Sequence, residues 1–285
     1  MPLVLGLVSN LGTHPTPEST LIPYISTGPM CRYAEDLIIS MRVLSSQSGV
    51  PVNFGQKVDF KKLKIYYMKE IRSPMIAPVN SDIALALKSA VSYFTKNYNL
   101  EAEEVKMDSL YDANRAVMNL ICSRMKDFKA TLTAGKGKFI NEKLEMVKFL
   151  FGKSTLSKGP LVALNGSKIK LFLPDRSRTP YYEKLVKSWA DEFDSFLDEN
   201  SILLMPTLPI SAPYHDEMAL FVPSTCYTSI FNVLGFPSTQ CPLGFNSNGM
   251  PHGIQIVGCK NNDALTIACA VELEKAFGGW KEPGI

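Results

Sequence analysis

The chain of 285 residues holds only three histidines, His14, His215 and His252. Each stands beside or near a proline in a loop-like stretch, and no Gly-x-Ser-x-Gly elbow occurs. Both facts argue against a Ser-His-Asp hydrolase. None of the six cysteines forms a Cys-x-x-Cys pair, so no zinc site is expected, and most sit in apolar runs that read as reduced, buried thiols. His215-Asp-Glu217 has metal-ligand types but reads as a solvated loop. Gly152-Lys-Ser-Thr155 resembles the end of a phosphate loop, but Val147 stands where the first glycine belongs. No cofactor is implied. The net charge of +3 is too small to point to nucleic acid. No apolar run is long enough to span a bilayer. The opening Met1-Pro-Leu-Val-Leu-Gly-Leu-Val8 is apolar but short, without a basic start or a cleavage site, and reads as a buried strand rather than a signal peptide. These absences read as an intracellular chain.

What is present is an ordinary globular composition, 46% hydrophobic and 20% charged. Helical spacing predicts a helix from about Arg32 to Ser46, entered at Pro29 with Arg32 and Asp36 facing each other. Leu63–Met68 alternates as a strand, and Ser81-Asp82 opens a helix carrying Ile83, Leu87, Ala90 and Phe94. A short strand at Glu104–Met107 and a helix from Asp108-Ser109 follow. Thr179-Pro180 opens a long helix to about Asn200, with Leu185, Trp189, Phe193, Phe196 and Leu197 as its stripe. Ile202–Met205 is a strand, and Ser224–Leu234 is a helix ended by Gly235. Gln240–Phe245 and Gly253–Val257 pair around Asn248-Gly249, and Asp263–Phe277 closes the chain as a helix stopped by Gly278. The alternation predicts an α/β fold with a mixed central sheet flanked by helices.

The segment from Arg124 to Lys158 differs in character. It carries a net charge of +6, which leaves −3 for the rest of the chain. On a helical wheel Phe139, Ile140, Leu144, Val147, Leu150 and Phe151 share a side, with Lys138, Glu145 and Lys148 opposite; Lys143 and Phe149 break the pattern. Such a helix either lies on a membrane surface or covers the core with its charged face in solvent.

Three stretches resemble the amidase signature family. They are Gly28-Pro-Met-Cys-Arg-Tyr-Ala-Glu-Asp-Leu37, Phe231-Asn-Val-Leu-Gly-Phe-Pro-Ser-Thr-Gln-Cys-Pro-Leu-Gly-Phe245 and Gly249-Met-Pro-His-Gly-Ile-Gln-Ile-Val-Gly258. Within that family the resemblance is to the branch that hydrolyses fatty-acid amides. It runs over residues 1–285 as the C-terminal portion of one amidase-signature domain, a partial version of that fold. The family's serine, second serine and lysine lie upstream of the Gly-Pro-Met turn. The sequence has no Gly-Ser-Ser-Gly-Gly run, and Lys57, Lys61 and Lys62 lie after the turn, so no catalytic residue is assigned.

The resemblance implies hydrolysis of lipid-like amides by the parent enzyme and inactivity of this stretch alone. The alternative is a non-catalytic protein derived from an amidase that binds lipid or a partner. A homodimer and a membrane contact through 124–158 remain open. For binding, Asn232 with Gly235-Phe-Pro237 matches the family's Asn-x-x-Gly-x-Pro, and Thr228 falls on the family's threonine. Thr225 falls where relatives handling polar amides carry an acid, so a neutral threonine there suits a neutral or apolar substrate. The start of the helix at Ser224 is expected to offer free N–H groups to a polar substrate group. Thr225 and Thr228 are otherwise read as residues that cap and pack the helix.

Overall fold

A strand that is apolar at consecutive positions, as Ile202–Met205 is, needs cover on both faces, and the architecture follows from that. The computed structural model describes residues 7–10, 12–13, 20–46, 48–49, 52–124, 141–154, 175–215 and 217–282. In chain order its main elements are α1 (Ala34–Leu44), β1 (Lys64–Tyr67), α2 (Ser81–Tyr98), β2 (Ala102–Glu104), α3 (Ala113–Arg124) and α4 (Glu142–Leu150). They continue with α5 (Thr179–Phe196), β3 (Ser201–Pro206), α6 (Cys226–Leu234), β4 (Ser238–Phe245), β5 (Pro251–Gly258) and α7 (Asp263–Phe277).

The sheet has five strands in the order β2-β1-β3-β5-β4. β1 runs parallel to both β2 and β3, whereas β5 is antiparallel to β3 and to β4. All six residues of β3 are buried, the mark of a strand covered on both faces. Leu203, Met205 and Val257 pack against α3, α5 and α6 on one side. Ile202, Leu204, Ile254 and Ile256 pack against α2 and α7 on the other. This is the mixed, helix-flanked sheet that the alternating pattern predicts.

Local signals account for most boundaries. Pro180 stands in the first turn of α5, where its missing N–H is not needed, and Trp189 and Phe193 are fully buried beneath that helix. Gly235 and Gly278 end α6 and α7 in the left-handed region, at φ 75° and 82°. Asn246 closes the β4–β5 turn by accepting the N–H groups of Asn248 and Met250, both at 2.9 Å. Gly253 is required by close approach. A Cβ there would stand 2.0 Å from the Cys241 carbonyl oxygen, beside the bulge at Pro242/Gly244.

The structure corrects four expectations. Pro29 does not open α1, because the chain stays non-helical until Ala34. Arg32 therefore lies outside the helix and stacks over Trp280 at 4.5 Å instead of facing Asp36. The first turn of α1 is capped from a distance: the Ala34 N–H donates to both carboxylate oxygens of Glu274, each at 3.0 Å. The edge strand β2 is Ala102–Glu104 rather than Glu104–Met107, since parallel pairing sets Ile65 against Ala102. Fourth, in α4 the apolar face turns outward. Leu150 and Phe151 are 81% and 74% exposed, while Glu145 is only 7% exposed and accepts from Lys148 and Ser154. Residues 125–140 and 155–158 of that segment lie outside the described residues, as do residues 1–6 of the strand expected at Met1–Val8; its last two residues, Leu7 and Val8, are buried but form a turn and bend, not a strand.

Candidate functional site at the α6 helix

In a parallel pair of strands the loops at the carboxyl ends meet on one side of the sheet, which is where α/β proteins place their sites. Here β1 and β3 end at Tyr67 and Pro206, and the loops that follow are tied together by the Asn80 N–H on the Pro209 carbonyl at 2.8 Å. The start of α6 anchors into the same loops. The Ile71 N–H donates to the Tyr227 hydroxyl at 2.7 Å, and the Ala77 N–H donates to the Ser224 hydroxyl at 3.1 Å. Burial pushes the Tyr227 phenol up from its ordinary range and keeps it neutral. Gln255, buried on β5, donates through Nε2 to the Pro206 and Tyr227 carbonyls at 3.0 and 2.8 Å. Strand end and helix are thereby fixed to each other.

α6 has two faces. Cys226, Tyr227, Ile230, Phe231 and Leu234 are buried. Thr225, Thr228 and Asn232 follow at helical spacing along a half-buried stripe, so the structure brings the three predicted binding residues onto one side. Their hydroxyls are engaged along the helix itself. Thr225 donates to the Val222 carbonyl at 2.7 Å, and Thr228 and Ser229 donate to the Thr225 carbonyl at 3.0 and 2.9 Å. Asn232 reaches across the chain, donating through Nδ2 to the Tyr24 carbonyl at 3.2 Å.

The expected open helix end is not at Ser224. A 3-10 helix, Glu217–Thr225, runs directly into α6, and Thr225 has helical angles of φ −66° and ψ −11° with no side-chain cap. The polar stripe, rather than first-turn amides, is what α6 presents.

Residues that the sequence did not single out complete the surroundings. Asn10 holds the segment facing the stripe: its Nδ2 donates to the Ile25 carbonyl at 2.9 Å and its Oδ1 accepts from Thr27 at 2.8 Å. Arg124 stacks over the Tyr24 ring at 4.9 Å and pairs with Glu183 at 2.7 Å. A cavity of about 230 Å³ opens between Tyr24, Arg124, Glu183, Lys187 and Val233. Asn10 lies outside the three stretches that carry the family resemblance. Tyr24 and Arg124 gave no local signal.

The other sequence candidates form no cluster with the α6 stripe among the described hydrogen bonds, and Glu217 begins the 3-10 helix that leads into α6. His215 is exposed, His14 and Asp216 lie outside the described residues, and His252 is half-buried on β5. Gly152, Lys153 and Ser154 follow α4, not a strand, and Thr155 is outside the described residues. Among the described residues no group of three or more His, Cys, Asp or Glu side chains could hold a metal ion. Also among the described residues, no helix is long and apolar enough to cross a membrane.

A doubly covered mixed sheet with a polar helix stripe beside its strand ends is an α/β architecture that many enzymes share, and the sequence decides among them. The sequence profile of the family described as Amidase matches residues 5–267, and the chain belongs to that family, the amidase signature enzymes. It is 33% identical to fatty-acid amide hydrolase 2-A of Danio rerio, over 98% of this chain and 53% of the relative. It is 30% identical to fatty-acid amide hydrolase 2 of Homo sapiens, again over 98% of this chain and 53% of the relative. The chain thus spans about half the length of the curated relatives it matches. Among solved structures, a glutamyl-tRNA(Gln) amidotransferase subunit of Thermotoga maritima superposes with a TM-score of 0.64 at 16% identity, over 99% of this chain and 60% of that one. A fatty acid amide hydrolase superposes with a TM-score of 0.63 at 17% identity, over 97% and 52%.

Proposed function

We propose that the chain forms the substrate-facing part of an amidase that hydrolyses neutral, lipid-like amides such as fatty-acid amides. In this reading the attacking serine, the relaying serine and the lysine base are supplied by sequence outside these 285 residues. By themselves the 285 residues are inactive.

The observation that carries the reading is the α6 stripe. Thr225, Thr228 and Asn232 are uncharged, and α6 contains no acidic residue. A half-buried carboxylate here would favour a cationic or strongly polar amide; a threonine avoids the cost of burying a charge beside an apolar chain. The two relatives named for fatty-acid amides support the same substrate class.

The test is a chimera. The N-terminal half of the Danio rerio relative is joined to this chain, and turnover of oleamide is compared with that of a short polar amide. A kcat/KM at least tenfold higher for oleamide is expected. Thr225→Asp should erase that preference. A chimera that turns over the short polar amide better would contradict the substrate assignment.

A second reading concerns location. The outward apolar stripe of α4, with Lys143 and Lys153 exposed beside it, supports contact with an anionic lipid surface. Substrate would then reach the site from the membrane.

A further inference from the structure

A second concavity lies away from the α6 stripe, between α1, the loop 52–60 and α7. Its volume is about 290 Å³, close to the lower end of the range for small-molecule sites, which begins at about 300 Å³. One wall carries Ile38, Phe54 and Val58, and the other Ile267 and Val271. The slot exists because Ala264 and Ala268 are small. On α7 the lining residues Ala264, Ala268, Val271 and Lys275 follow one another at helical spacing. At a helical rise of 1.5 Å per residue the stripe extends for about 16 Å.

The opposite wall is held in place. Arg42 donates through Nε and Nη2 to the Phe54 carbonyl at 3.0 and 2.5 Å. Gly55, at φ +97°, makes room for that guanidinium, since a Cβ there would stand 2.8 Å from Nη2. The slot is therefore preformed, not a gap between loose loops.

Its charge balance is positive, two lysines against one carboxylate. Lys57 and Lys275 line it from the two walls, and neither is paired with a carboxylate among the described residues. The one acidic lining residue, Glu272, already accepts the hydroxyls of Tyr93 and Tyr98 through Oε1. Nearby, Asp59 faces Lys62 at 3.8 Å and Glu274 caps α1. An occupant meets an apolar groove, two lysines and one carboxylate already engaged by two tyrosine hydroxyls.

We propose that this slot binds a free single-chain anionic amphiphile, a fatty carboxylate. Its tail lies along Ala264–Val271 and its carboxylate between Lys57 and Lys275. Charge complementarity selects the carboxylate, and the narrow apolar groove selects one chain over two. The assignment rests on the slot alone and does not depend on the hydrolase reading.

Calorimetric titration of the 285-residue chain with laurate below its micelle concentration tests it. Dodecanol serves as the neutral probe of equal length. The double variant Lys57→Glu, Lys275→Glu should weaken laurate at least tenfold and leave dodecanol within twofold. Ala268→Phe, which fills the groove, should weaken both at least tenfold; Ala268→Leu is the milder substitute if the larger ring disturbs folding. All variants are compared at an unchanged thermal transition. Absence of saturable laurate binding overturns the proposal and leaves the groove as a seat for polypeptide. So does binding that survives charge reversal or groove filling, and so does binding of anionic vesicles without binding of the monomer.

Discussion

Asn232 joins two pieces of chain 208 positions apart by donating to the Tyr24 carbonyl. Asn232→Leu is of similar size but has no donor, and it leaves that carbonyl unpaired. It should cost about 1 kcal/mol, read as a lower denaturation midpoint with an unchanged slope. The same side chain shows what could be read in advance. Thr225, Thr228 and Asn232 were legible as a set because helical spacing alone puts them on one face. Asn10, Tyr24 and Arg124 were not, because nothing in a one-dimensional pattern reports which carbonyl a side chain will reach.

The cysteines give a second residue-scale expectation. Burial pushes the Cys226 thiol up to about 12 and raises Cys241 and Cys269 as well. At pH 8 only about one Cys226 in ten thousand is then the reactive thiolate. Iodoacetamide at pH 8 should leave these three unmodified in the folded chain and label them in urea, as read by mass spectrometry. The sign of the pH dependence follows. A raised folded value favours the neutral thiol, so this contribution is fully present below the unfolded value of about 8.5 and is lost as pH rises through the folded one.

At the scale of elements, α5 and α4 make a useful contrast, since both were predicted as amphipathic helices. Phe193 is fully buried against Phe231 and Phe236, whereas Leu144 is 50% exposed. Phe193→Ala should cost about 3–5 kcal/mol by opening a cavity, and Leu144→Ala should stay within about 0.5 kcal/mol. Chemical denaturation of the two variants decides it. Elements with strong end signals were readable: Pro180 in the first turn of α5, Gly235 after α6, Gly278 after α7. The misreadings share a cause. Pro29 looked like a helix start, but Arg32 is drawn to Trp280 and the first-turn N–H of Ala34 is satisfied by Glu274 from the far end of the chain. β2 was displaced because pairing with β1, not its own apolar residues, chose the register. The outward turn of the apolar face of α4 could not be foreseen either, since a wheel shows that two faces differ but not which one meets the protein.

For the whole molecule, the mixed sheet with helices on both faces was legible from the alternation of strand and helix patterns, and the family because the motifs around Gly28 and Asn232 are specific; the strand order was not, because it is set by long-range pairing. The lipid-surface reading of α4 has a direct check. The chain should sediment with anionic vesicles, and binding should fall as salt is raised. Lys138→Glu, Lys148→Glu and Lys153→Glu together should abolish it. Equal binding by the triple variant would return the segment to an ordinary solvated helix.

The proposed function depends on one claim, that these residues frame a site whose nucleophile they do not carry. Fluorophosphonate labelling, with the modified serine located by mass spectrometry, tests it in the isolated chain and in the chimera. The isolated chain should take up no label. The chimera should take up one label per molecule, on a serine of the N-terminal half contributed by the relative. Stoichiometric labelling of a serine within the 285 residues, in either protein, would contradict it.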